Sequence, residues 1–405
     1  MQQNTAMKIL FLTYHGFEEA SGISKKMLAQ VKGLRQNGFE VHICYYDVTA
    51  QHEHVRYVDG KAIKNYGRGW WSKLYQRMSY GCVRDYCVEH GIELVYVRCF
   101  MNASPFTVRL FRQLRNDGVK AVMEVPTYPY DKEFESLPLK YRVEHIADKL
   151  FRRQLASYMN AIVTFSDAAE IFGQRTIRIS NGVDLDAIPL HSPLTSHQSP
   201  IPSGGAGGGL SHLSPFHVIG VAEVHPWHAF DRFVAGLGEY YRQYLTSTTH
   251  HLTPNTQHPE IYFHIVGGVP SDLMAKDYTP LIEKYELQDK VIFHGKLFGE
   301  ELDKVFDLCC FAVGSLGRHR SGITHIKTLK NREYACRGIP FIYSECDSDF
   351  DHQPYVLKAP ADESPIDIHQ VVSFVRSHHF EPQMIRKTVE HLSWKNQMQQ
   401  VIEQL

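Results

Sequence analysis

The chain has 405 residues, too many for one ordinary core, so two domains are expected. Its composition is that of a globular protein, 43% apolar and 21% charged, and its formal net charge of -1 argues against a general nucleic-acid binder. No apolar run approaches the ~18 residues of a spanning helix, so any electropositive or membrane-directed feature has to be local.

The first half alternates strand and helix. Met7–Thr13 is a short apolar run, and Ile23, Met27, Leu28, Val31 and Leu34 follow at helical spacing until Asn37-Gly38 stops them. Further strands are expected at 40–46, 94–97, 120–123, 161–164 and 176–180, with helices at 103–117 and 138–158 between them. Residues 191–215 are rich in Pro, Gly, Ser and His and read as a flexible insertion; 246–260 is a second polar loop. The alternation then resumes, with strands at 216–221, 261–266, 290–294, 309–313 and 339–343 and helices at 228–244, 271–286, 299–307 and 323–336. This order predicts an α/β chain of two doubly wound parallel domains, 1–190 and 216–380, with a ligand site at the carboxyl ends of the strands. Eight scattered cysteines without paired CxxC motifs read as reduced thiols, and no secretory signal is recognised.

The most unusual stretch is 314–340, GSLGRHRSGITHIKTLKNREYACRGIP. Six cations (Arg318, Arg320, Lys327, Lys330, Arg332 and Arg337) crowd into it with Glu333 as the only acid. Three glycines open a loop after a strand, and Thr324 reads as the N-cap of a helix. A helix N-terminus with nearby arginines and lysines suits phosphate. On that helix His325, Leu329 and Glu333 share a face, which sets Glu333 to accept hydrogen bonds from a ribose. A nucleoside-diphosphate site is therefore expected on Arg318, Arg320, Thr324, Lys327, Lys330 and Glu333. A solvated basic helix face is the alternative, but it leaves the glycines and the lone carboxylate unexplained.

These residues carry a family resemblance. REYACRGIPFI, ISNGVD (179–184), SGISKKMLAQVKGLRQNGFEVHI (21–43), VAEVHPWHAFDRFVAGL (221–237) and LQDKVIFHGKL (287–297) fall in the order found in retaining GT-B glycosyltransferases. WHxxDR and LKxREYxxRGIPF look most like the bacterial enzymes of capsular and surface polysaccharide synthesis. The resemblance implies two Rossmann-like domains, a sugar nucleotide on the second, a glycan or lipid-linked acceptor on the first, and a C-terminal segment (381–405) returning to the first. It puts Glu333 on the ribose and Gly22 beside the donor phosphates. Three positions depart from it. The first glutamate of the family pair falls on His325, and the Arg and Lys after the first strand of the second domain read Glu223 and His228. The basic stretch is then expected to replace that pair of cations.

Retention, which the resemblance implies, lets the leaving phosphate take the acceptor's proton; inversion needs a protein base. His15 is the first candidate for that base, then Asp131 and Glu133. His325 and Glu333 complete the expected catalytic set. Glu124, Tyr128, Asp131 and Ser166 follow strand ends and are the expected acceptor contacts, although Ser166 also reads as a plain cap. The segment 66–81, YGRGWWSKLYQRMSYG, reads either as a core-packed helix or as an interfacial one on an anionic bilayer. The expected location is cytoplasmic, with peripheral membrane contact on the second reading. The histidine pairs at 250–251 and 378–379, and His52 with His54, lack ligand spacing, and Asp347-Ser348-Asp349 is read as loop, so no metal and no cofactor beyond the co-substrate are expected. A non-catalytic sugar-nucleotide binder and a sugar-nucleotide epimerase are the alternative functions.

Overall fold

The computed structural model describes residues 6–18, 21–99, 101–131, 139–192, 214–247 and 258–405. The core of the expected insertion, most of the loop at 246–260, Glu133 and the pair at 250–251 lie outside the described residues. The chain divides into two compact units, Met1–Gly182 with Leu392–Leu405, and Val183–His391.

In the first unit the strands are β1 (Lys8–Leu12), β2 (Glu40–Val48), β3 (Glu53–Val58), β4 (Lys61–Arg68), β5 (Leu94–Arg98), β6 (Lys120–Val125), β7 (Ala161–Thr164), β8 (Glu170–Ile171) and β9 (Gln174–Arg178). They are ordered β4-β3-β2-β1-β5-β6-β7-β9-β8. The central strands are parallel and nearly continuous in apolar residues, as strands covered on both faces must be. Strands β3 and β4 form an antiparallel hairpin that periodicity did not single out. Its signal was present, because Asp59-Gly60 takes positive φ at both positions, the pattern a tight hairpin turn requires. Helices α1 (Gly22–Gln36), α2 (Gly69–Met78), α3 (Gly81–Glu89), α4 (Pro105–Asn116) and α5 (Leu139–Ala156) belong to this unit. Ser21 caps α1, accepting from the Ser24 N–H at 3.3 Å. The C-terminal helix (Trp394–Glu403) docks on α1. Asn37 donates to the Lys395 carbonyl at 2.8 Å, and Gln397 accepts from the Ser180 N–H at 2.8 Å.

The second unit holds a six-stranded parallel sheet of β10 (Phe216–Val221), β11 (Ile261–Val266), β12 (Val291–Gly295), β13 (Phe311–Val313), β14 (Phe341–Tyr343) and β15 (Val356–Lys358), ordered β12-β11-β10-β13-β14-β15. The chain winds outward in one direction from β10 and in the other from β13. The junction of these two strands is therefore the topological switch point, where parallel sheets of this type open a crevice. The α/β doubly wound class expected from the sequence is the architecture observed in each unit.

One helix starts later than its sequence suggests. The expected helix from 323 is α6 (Leu329–Arg337), with Thr328 at its N-cap. Residues 324–326 are extended and pair with the end of the neighbouring strand. Cys346 donates to the Thr324 carbonyl at 2.7 Å, and Ile326 donates to the Cys346 carbonyl at 3.0 Å. The run Ile323-Thr324-His325-Ile326 is mostly β-branched, which favours that extended pairing over a helical turn. Thr324 is consequently no N-cap, and His325 does not share a helix face with Glu333.

Candidate functional site

Two loops meet at the switch point of the second unit. The first follows β10 and carries His225, Pro226, Trp227 and His228; the second follows β13 and runs from Gly314 through Arg320. Backbone bonds zip them together: Leu316 donates to the His228 carbonyl at 2.9 Å, and Gly317 to the Trp227 carbonyl at 3.2 Å. Gly317 makes the approach possible, since a Cβ there would lie 2.5 Å from that of Ala229. The third wall is the end of β14, where Ser344 donates to the Ser315 carbonyl at 3.0 Å and Glu345 follows. The fourth is the N-terminus of α6.

The six cations of the basic stretch do not form a common patch. Arg320 is paired bidentately with Asp231, at 3.1 and 2.8 Å, and also with Glu363, whose carboxyl it holds well below the usual range. Arg332 is fully buried against Asp347 at 2.6 Å and also against Asp349. Lys327 lies 3.7 Å from Asp349. Arg337 pairs with Asp303 at 2.8 Å and with Glu333 at 3.1 Å. All of these acids except Glu333 come from outside the stretch, so its local excess of charge is largely neutralised on folding. Arg320 and Lys327, expected as donor contacts, are both partners of ion pairs in the folded chain. The aspartates of Asp347-Ser348-Asp349 clamp Arg332, a structural role for a segment read as plain loop.

Arg318 and Lys330 are different, for both act through their charge on one buried carboxylate, Glu345. Arg318 lies over the Trp227 ring at 5.8 Å, and Trp227 stacks on His225 at 4.3 Å. Burial and the Arg318 charge push the Lys330 ammonium down to about 7. Burial pushes the Glu345 carboxyl up to about 7, against the pull of Arg318 and Lys330. Glu345 is 2% exposed, and neither of its oxygens has a hydrogen-bond partner. Lys358 reaches only its backbone carbonyl. Three more buried polar atoms around it are equally unpartnered: Ser315 Oγ, Thr328 Oγ1 and Asn331 Oδ1. Thr328 caps α6 in backbone only, so its hydroxyl is left unused at the positive end of that helix. His228 is buried and kept neutral by desolvation and the two nearby cations, and its Nδ1 accepts from the His225 N–H at 3.0 Å. Unpartnered buried polar atoms occur elsewhere among the described residues too, Arg56 and Gln30 among them; here they coincide with two cations and a helix N-terminus at the switch point. Cations, a helix N-terminus and open acceptors together suit an anionic ligand that also carries hydroxyl groups.

Glu333, expected on a ribose, lies in the middle of α6, and its Oε1 accepts from Nε and Nη2 of Arg337 at 3.2 and 3.1 Å. His325 is exposed and bonded to the Thr324 hydroxyl at 3.0 Å, one residue along the paired segment from the Glu345 wall. Glu223 pairs with Lys296 at 2.8 Å on the surface. Sequence reading missed Ser315, Thr328, Asn331 and above all Glu345. The available signal was a charged residue directly after an apolar strand, FIYSE, at the carboxyl edge of a parallel sheet.

The residues singled out in the first unit also lie at carboxyl ends of parallel strands. His15 and Gly22 follow β1. His15 is exposed, with Nδ1 against the Gly16 carbonyl at 2.8 Å; Gly22 opens α1 with free space around it. Tyr128 packs edge-on against Phe172, and Ser166 shares a 2.9 Å bond with the Thr164 hydroxyl. Two expectations change. Glu124 is fully buried, ion-paired to Lys26 at 3.1 Å and bonded to Tyr96 and Gln30, so it has no face left for direct acceptor contact. Asp131 is gripped by both terminal nitrogens of Arg152, at 2.8 and 3.1 Å, and bonded to His145, which holds its carboxyl far too low for a general base. Among the described residues no group of three or more His, Cys, Asp or Glu is placed to hold a metal, and no helix is long and apolar enough to cross a membrane.

Comparison with solved structures gives the fold its relatives. The chain is similar to sucrose-phosphate synthase from Thermosynechococcus elongatus (TM-score 0.61, 14% identity, 98% of each chain covered). It is similar to a glycosyltransferase from Rickettsia africae (TM-score 0.60, 10% identity, 98% of this chain and 97% of the other). It is also similar to Anabaena HepE in complex with UDP (TM-score 0.57, 13% identity, 98% of this chain and 99% of the other). The chain has the two-unit α/β fold of these glycosyltransferases. No family model and no curated protein sequence matches it.

Proposed function

We propose that the chain is a glycosyltransferase that takes a sugar from a nucleoside-diphospho-sugar, with the diphosphate bound at the switch point of the second unit. The observation that carries this reading is the cluster of unpartnered buried acceptors and hydroxyls around Arg318 and Lys330 at the N-terminus of α6. The fold relatives add support, since HepE was solved with UDP and with UDP-glucose. Breaking a sugar–phosphate bond builds negative charge on the departing diphosphate. Fixed cations and a helix N-terminus stabilise that charge without a protein nucleophile. Arg318 and Lys330 are the residues assigned to it. Ser315, Thr328 and Asn331 are assigned to the donor's hydroxyl and phosphate oxygens.

On the motif resemblance, the acceptor is inferred to be a glycan or lipid-linked sugar of a surface polysaccharide, and the transfer to proceed with retention. His15 is the exposed imidazole available if the reaction inverts instead. No cofactor beyond the co-substrate is inferred; the Asp347 and Asp349 carboxylates are held by Arg332. Titration calorimetry with UDP-, GDP- and ADP-sugars tests the binding claim. One of them should bind, and Arg318→Ala or Lys330→Ala should weaken it by roughly tenfold to a hundredfold. Unchanged affinity in both variants removes the site. Slow donor hydrolysis without acceptor separates a transferase from an inert binder, the anomeric configuration of the product decides retention, and turnover is expected to survive EDTA.

A further inference from the structure

Helix α2 is packed inside out. Its buried positions are Ser72 and Gln76, one turn apart, and its exposed face carries Trp70, Trp71, Leu74, Tyr75 and Met78. Trp70 is 65% exposed and Trp71 73% exposed. The core-packed reading of this segment is overturned, since a helix packed through its apolar side would bury the tryptophans and expose Ser72 and Gln76. A second helix repeats the feature. On α5, Val143, Ile146 and Leu150 form an exposed stripe at helical spacing, while His145, Asp148 and Leu155 face inward. Arg77 of α2 donates to Glu144 of α5 at 2.7 Å, so the two stripes adjoin where Met78 and Val143 flank that ion pair.

Eight large apolar side chains on two adjoining helices exceed the scattered singles normal on a water-facing surface. The exposed charges of the two helices are cationic. Lys73, Lys149 and Arg153 are exposed beside the stripes, α2 has no acid, and the acids of α5 are Glu144, held by Arg77, and Asp148, buried; Arg68, just before α2, is paired with Glu53 at 3.5 Å. Tryptophans on an apolar face rimmed by lysine and arginine match the boundary layer of a bilayer with anionic headgroups.

We propose that the α2–α5 face is a docking surface for an anionic membrane, with the tryptophans in the headgroup–acyl boundary and Lys73, Lys149 and Arg153 on lipid phosphates. This goes beyond the donor reading: the face lies in the first unit, and its test uses no nucleotide. The full chain is sedimented with vesicles of phosphatidylcholine alone and of phosphatidylcholine with about a third phosphatidylglycerol. Binding is expected to the anionic vesicles, weakened by added salt. Trp70→Ser/Trp71→Ser should lower the partition coefficient by about tenfold or more, and Ile146→Ser/Leu150→Ser by a smaller factor. All four side chains are exposed, so melting temperature and donor affinity should stay at wild-type values and certify the fold. Failure to sediment with anionic vesicles, or equal binding by wild type and both variants, overturns the proposal. A wild-type dimer in analytical ultracentrifugation that the tryptophan variant dissolves also overturns it, because the occupant is then a second copy of the chain.

Discussion

Each unit buries a glutamate at the carboxyl end of a parallel strand, and the two are treated in opposite ways. Glu124, near the end of β6, has Lys26 at 3.1 Å, the Tyr96 hydroxyl at 2.7 Å, Gln30 at 2.5 Å and Arg98 at 3.5 Å. Burial alone would raise its pKa, but Lys26, Arg98 and the two hydrogen bonds outweigh burial and keep it below the ordinary carboxylate value. Glu345, just after β14, has no hydrogen-bond partner, and burial wins. Burial and charge are common to both residues, so neither separates a site from a scaffold. What separates them is how the carboxylate itself is held. Glu124 ties α1 to β5 and β6, with Oε2 hydrogen-bonded to Tyr96 and Gln30 and Oε1 ion-paired to Lys26, whereas neither oxygen of Glu345 has a hydrogen-bond partner.

The largest expected effect tests the first half of that contrast. Glu124→Leu leaves Lys26, 6% exposed, and Arg98 without their carboxylate, and should cost about 3–5 kcal/mol of stability. Urea unfolding followed by circular dichroism measures it; a loss under about 1 kcal/mol would show that the network does not hold the unit together. Next in size is Lys330→Ala with Arg318→Ala. Each should weaken the nucleotide sugar by roughly tenfold to a hundredfold in calorimetry while moving the unfolding midpoint little. A pair of variants that unfold readily but bind normally would reverse the assignment of the two glutamates.

The alternation of strand and helix was legible because buried parallel strands and covering helices leave different apolar periods. That logic located β1, β5, β6, β10, β11 and the Arg318 loop. It failed where side chains from distant stretches decide the outcome. The charge run at 318–337 reads as a phosphate site in one dimension, but Asp231, Asp303, Asp347, Asp349 and Glu363 fold onto it and neutralise most of it. The helix expected from Thr324 lost its first turn to strand pairing with Cys346. Glu345 carries only the weak local mark of following the apolar strand FIY, because its lack of hydrogen-bond partners is a property of the folded interior. The exposed tryptophans were undecidable for a related reason: the pattern of α2 gives an apolar face but not the direction it points.

The two smallest effects sharpen the contrast at Glu345 itself. Lys330 and Glu345 both titrate near neutral pH, one displaced downward and the other upward. At low pH the pair carries a positive charge, since the ammonium is charged and the carboxyl neutral; at high pH it carries a negative one. The phosphates of a nucleotide sugar have no titration in this range, so affinity should fall as pH rises, by about tenfold from about pH 6 to about pH 8. Binding near neutrality should take up protons, read from calorimetry in two buffers of different ionisation enthalpy. Glu345→Gln removes one of the two titrating groups. The same pH rise should then cost only about threefold, with at most one proton taken up. A Gln variant as steep as wild type would mean that the buried carboxylate does not titrate with the site, leaving Lys330 alone to set the pH dependence.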